Sequence, residues 1–62
     1  MAQFRVAIFS DKDPNAIVDL YRQQFESLSA AREDVSRRQD EDPNEDFGVA
    51  EWNGSDWIRV AK

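Results

Sequence analysis

Five carboxylates crowd into seven residues: Asp40, Glu41, Asp42, Glu45 and Asp46. They are the densest set of chemically capable side chains in the chain. Carboxylates offer three chemistries, namely cation ligation, acid–base catalysis and electrostatic docking. For calcium, Asp40, Asp42, Asn44 and Glu51 stand at places one, three, five and twelve of an EF-hand-like spacing. The sixth place needs Gly for the sharp turn, and Glu45 stands there. A strand and hairpin follow where a second helix is required. The spacing is therefore read as accidental, and no metal ligand is assigned. Acid–base work needs two carboxylates whose pKa values are pushed apart in a cleft, and a chain of 62 residues has little volume for one. There is no His to activate Ser10, Ser27, Ser29, Ser36 or Ser55, no Cys, and no Gly-rich phosphate loop. The expectation is a protein that is not an enzyme and carries no cofactor. Docking remains. An acidic loop can meet a basic groove in place of phosphates, which speeds and orients association more than it adds affinity.

A second set of residues is aromatic. Alternation through 3–9 reads as a strand with Phe4, Val6 and Ile8 on one face and Arg5, Ala7 and Phe9 on the other. Phe47 to Trp52 and Trp57 to Ala61 read as two more strands around Asn53-Gly54, a strong hairpin signal. The expected loop is either two residues long, pairing Val49 with Ile58, or four, pairing Trp52 with Trp57. Either register places Phe47, Val49, Ile58 and Val60 on one face. The opposite face then carries Arg5, Phe9, Trp52, Trp57 and Arg59, with nothing left in the chain to cover it. Trp and Arg are enriched at interface hot spots. The ordinary alternative is a Trp pair that merely stabilises its hairpin. The candidate partner-binding residues are therefore Phe9, Trp52, Trp57, Arg59 and Arg5 on the sheet, with Asp40, Glu41, Asp42, Glu45 and Asp46 in the loop.

These residues need positioning elements. Asp13-Pro14 has the form of a helix start, with Asp as N-cap and Pro at the first turn. At helical spacing Ile17, Leu20, Tyr21, Leu28, Ala31 and Val35 share a face, so one helix is expected over 14–36. A break near residues 27–30 is the alternative, because Ser27 and Ser29 can cap. An acidic loop over 37–46 and a hairpin over 47–61 complete the chain. The expected fold is a single α+β domain over 1–62, a βαββ layer with a three-stranded, mainly antiparallel sheet in order 1-3-2 and one helix on one face.

The net charge of −5 disfavours whole-surface binding to nucleic acid or anionic lipid. Lack of Cys, and a start unlike a signal peptide, fit an intracellular, cytoplasmic protein. In size and charge the chain resembles the small acidic proteins with which viruses block nucleic-acid enzymes. No motif carries that likeness. The leading expectation is a small acidic protein-binding module, an inhibitor or regulator that occupies a surface of another protein. A homo-oligomeric assembly subunit using the aromatic face is the alternative. Single-stranded nucleic acid stacked on Phe9, Trp52 and Trp57 is a third reading.

Overall fold

The computed structural model describes residues 3–61; Met1, Ala2 and Lys62, which the single-domain expectation also includes, lie outside the described residues. Five elements follow one another: β1 (Phe4–Phe9), β2 (Ile17–Phe25), α1 (Leu28–Glu41), β3 (Phe47–Trp52) and β4 (Trp57–Ala61). The fold is α+β, with one helix against a four-stranded antiparallel sheet of order β2-β1-β3-β4.

This corrects the expected three strands in order 1-3-2 and the expected helix over 14–36. The first half of that stretch is strand β2, and only its second half is helical. Asp13-Pro14 makes a turn instead of a cap. The Asp13 Oδ1 accepts from the Asn15 N–H at 3.1 Å. The Ala16 N–H donates to the Asp13 carbonyl at 2.9 Å, and the Ser10 N–H donates to the Ala16 carbonyl at 2.9 Å. Asp, Pro and Asn are turn formers for these reasons. Ile17, Val18, Tyr21 and Phe25 are β-branched or aromatic and suit the pleated surface beyond it. β2 pairs with β1, leaving its register at two places. The shifts let Leu20 and Ile17 pack on one sheet face while Tyr21 and Phe25 pack on the other. That near-helical phasing is what a helical wheel reads as one stripe.

Ser27 begins the real helix. Its Oγ accepts from the Ala30 N–H at 3.2 Å. The helix then runs through Asp40 and Glu41, residues expected in the loop, and stops at Asp42, whose N–H donates to the Arg38 carbonyl at 2.9 Å. Pro43 follows and cannot continue it. Ala31 and Val35 bury against Phe4, Val6, Phe47 and Val49, with Tyr21, Phe25, Leu28 and Ala61 at the margin. Asp34 receives hydrogen bonds from Arg37 and from the Arg38 Nε, the latter at 2.6 Å. The Arg38 guanidinium also lies 4.3 Å from the Tyr21 ring centre, tying α1 to β2.

The hairpin takes the four-residue loop, with Trp52 opposite Trp57 and Glu51 opposite Ile58. A register shift then sets Val49 opposite Ala61, leaving Val60 as the extra residue. Ile58 and Val60 were expected in the core; they are 43% and 38% exposed. The helix packs on β3, β1 and β2, and β4 lies at the edge, with Ala61 reaching the helix-side core.

Candidate functional site

The helix-free sheet face covers itself. Ala7 and Ala50 are fully buried there and Phe9 is 2% exposed, packed with Ile17, Leu20 and Trp57. Small residues at the middle of the face let large side chains from its margin lean inward. The Phe9 ring lies over Gly48, where an added Cβ would come within 2.8 Å of both the ring and the Ala61 carbonyl oxygen. The second sheet face is thus a small core of its own.

Two arginines close it. The Arg59 guanidinium sits 4.3 Å from the Phe9 ring centre. It donates to the Pro14 carbonyl at 2.7 Å and to both Asp46 carboxylate oxygens at 3.4 Å. One side chain on β4 therefore binds the β1–β2 loop and the α1–β3 loop together. Arg5 lies 4.9 Å from the Trp57 ring centre, and its buried Nε makes no hydrogen bond to the described residues. Trp57 is half-buried and leans at 55° against Trp52, ring centres 5.6 Å apart. Trp52 alone of the predicted aromatics is exposed, at 42%. The face expected to lie open is corrected on this point: Phe9 presents no surface to a partner, and a base could stack on it only by displacing Arg59.

The acidic residues converge more than the sequence suggested. Asp40 and Glu41 sit on the last turn of α1, Asp42 caps it, and Glu45 and Asp46 lead into β3. The β1–β2 loop lies at the same end of the sheet. A shallow recess brings its Asp11 and Lys12 beside Glu45 and Asp46, and the Phe9 N–H donates to the Asp46 carbonyl at 2.9 Å. Seven carboxylates (Asp11, Asp13, Asp40, Glu41, Asp42, Glu45, Asp46) with Lys12 and Arg59 give this end −5, Arg38 on the last helical turn being set against Asp34; that equals the chain's −5, so everything else sums to zero. The charge is polarised along the molecule.

Gln39, which the sequence did not single out, organises this end. Its side-chain amide donates to the Glu45 carbonyl at 2.7 Å and the Asp42 carbonyl at 3.4 Å, and accepts from the Phe47 N–H at 3.4 Å. Nothing in local pattern marks it, because its partners come from the loop that follows. The loop is held while the carboxylates of Asp40, Glu41, Asp42 and Glu45 make no ion pair among the described residues. Prior ordering of this kind lowers the entropy lost on binding. The calcium-like spacing is broken up, with Asp40 on α1 and Glu51 on β3. Among the described residues no three His, Cys, Asp or Glu side chains gather as a metal site. None of the helices there is long and apolar enough to cross a membrane.

The fold displaces the titration of Asp34. Burial would raise its pKa, but hydrogen bonds and charge from Arg38 and Arg37 outweigh burial and hold it below the usual carboxylate range. Arg38 stands on the last turn of α1 beside Glu41, and its contact with Tyr21 ties that turn to β2.

Comparison with protein-family models, with curated proteins and with solved structures returned no match.

Proposed function

We propose that the protein is a small, non-enzymatic binding module of the cytoplasm, an inhibitor or regulator that lays its acidic end on a basic surface of another protein. A groove that otherwise holds nucleic acid is the natural counterpart. One observation carries the reading: a charge of −5 gathered at one end of the sheet, around a loop ordered by Gln39. Polarised charge of this size draws an oppositely charged surface together at raised rates and fixes orientation.

The test is comparative capture. Three baits are used on the same lysate after nuclease treatment: the natural chain, a variant neutralised at Asp40→Asn, Glu41→Gln, Asp42→Asn and Glu45→Gln, and Trp52→Ala. The natural and Trp52→Ala baits should retain one stoichiometric protein that the neutralised bait loses, with all three folded by circular dichroism. Retention by the neutralised bait and loss by Trp52→Ala would move the site to the hairpin.

A homo-oligomer is the second reading, favoured by Ile58 and Val60, both exposed on the edge strand β4, and by the exposed Trp52 on the other face of the hairpin. The register shift at Val60 weighs against it, since bulges in edge strands hinder strand addition. Light scattering decides: a monomer at high micromolar concentration removes this reading.

A further inference from the structure

We propose that Asn53 is a site of self-catalysed deamidation, and that the hairpin loop itself promotes the reaction. Asn53 and Gly54 are both exposed. Gly54 has φ +100°, and the space where a Cβ would stand is empty to 4 Å. No side chain at Gly54 therefore shields its backbone nitrogen. The electrophile is the Asn53 side-chain amide. Its Oδ1 accepts two backbone N–H groups, from Ser55 at 2.9 Å and from Asp56 at 2.8 Å. Two fixed donors on one carbonyl oxygen are the arrangement that stabilises a tetrahedral oxyanion.

The steps balance without any cofactor. The Gly54 N–H gives its proton to hydroxide, and the nitrogen attacks the Asn53 Cγ. Electron density moves onto Oδ1, where the Ser55 and Asp56 amides receive it. Water protonates Nδ2 as the Cγ–Nδ2 bond breaks, releasing ammonia and regenerating hydroxide. The resulting cyclic imide is opened by water at either carbonyl, leaving aspartate or isoaspartate at position 53. Either product adds one negative charge to the chain's −5. The isoaspartyl product also lengthens the backbone inside the loop that sets Trp52 against Trp57.

The experiment uses the natural chain and its own internal controls. Asn15 precedes Ala16 and Asn44 precedes Glu45, so both present a hindered nucleophile. Folded protein and protein unfolded in guanidinium chloride are held at the same mildly alkaline pH. Each asparagine is followed by peptide mass spectrometry, and isoaspartate is scored by enzymatic methyl transfer. Asn53 should convert well ahead of Asn15 and Asn44, in proportion to hydroxide concentration. It should also convert about tenfold faster folded than unfolded. That is less than the roughly hundredfold that one buried oxyanion donor contributes, because this loop is wet. Conversion no faster than at Asn15 and Asn44 would overturn the site. Slower conversion in the folded chain than in the unfolded one would overturn the role of the loop.

Discussion

Replacing Arg59 with alanine tests how the helix-free face is held. The side chain is 10% exposed, although the Pro14 carbonyl that it reaches is at the surface. It loses a hydrogen bond from a charged donor to the Pro14 carbonyl, worth about 1.5 kcal/mol. It loses a cation–π contact with Phe9, worth about 1 kcal/mol at a shielded site. The ion pair with Asp46 is long and Asp46 is one-third exposed, so it contributes about 0.5 kcal/mol. Together the loss is about 3 kcal/mol. A chain of this length has a total stability of roughly 3–9 kcal/mol, so Arg59→Ala should remove about a third of it or more. Urea unfolding followed by tryptophan fluorescence measures this, with an unchanged slope showing that the native state is still compact. Asp46→Asn should cost less than about 1 kcal/mol. The reasoning fails if Arg59→Ala costs under about 1 kcal/mol, or if Asp46→Asn costs as much as Arg59→Ala. The first result would mean that the ring needs no cover, the second that charge pairing dominates.

Gly48→Ala should lose about 1–3 kcal/mol in the same assay, because the new methyl meets the Phe9 ring and the Ala61 carbonyl oxygen. Ser27→Ala should lose about 1 kcal/mol and fray the first turn of α1, read as reduced amide protection at Ala30 and Ala31. Asp34 has a depressed pKa in the folded chain, so its stabilising contribution is complete above the unfolded carboxylate value, about 4, and is lost as pH falls through the lower folded value. The stability gap between the natural chain and Asp34→Asn should therefore be widest near neutral pH and close in acid; a gap that is constant with pH would contradict this. The fourfold neutralised variant should be at least as stable as the natural chain and less stabilised by added salt. Its carboxylates oppose one another, and Asp40 and Glu41 sit at the negative end of the helix dipole.

The strands β1, β3 and β4 were legible from the alternation of Phe4, Val6 and Ile8 and from the runs around Asn53-Gly54, but the exposure of Ile58 and Val60 was not, because β4 is an edge strand with a register shift at Val60. β2 was not. Its apolar residues Ile17, Leu20, Tyr21 and Phe25 follow helical spacing, and only the register shifts against β1 reconcile that spacing with a strand. β-Branched content at Ile17 and Val18, and the turn chemistry of Asp13-Pro14-Asn15, were the contrary signals. Ser27 was visible as a cap within the alternative of a broken helix. The acidic cluster could be read from adjacency in the chain. Its extension by Asp11 and Asp13 could not, since that depends on the β1–β2 hairpin. The covering of Phe9 depends on three segments meeting at Arg59, and no local pattern encodes such a meeting.

In the proposed complex the acidic end makes the functional contact. The most direct measurement is the association rate constant of the captured protein with the natural chain across a range of ionic strength. The account predicts a steep fall in that rate as salt rises, with dissociation little changed, and a slow, nearly salt-independent rate for the fourfold neutralised variant. A rate that is flat with salt and equal for the two chains would contradict it.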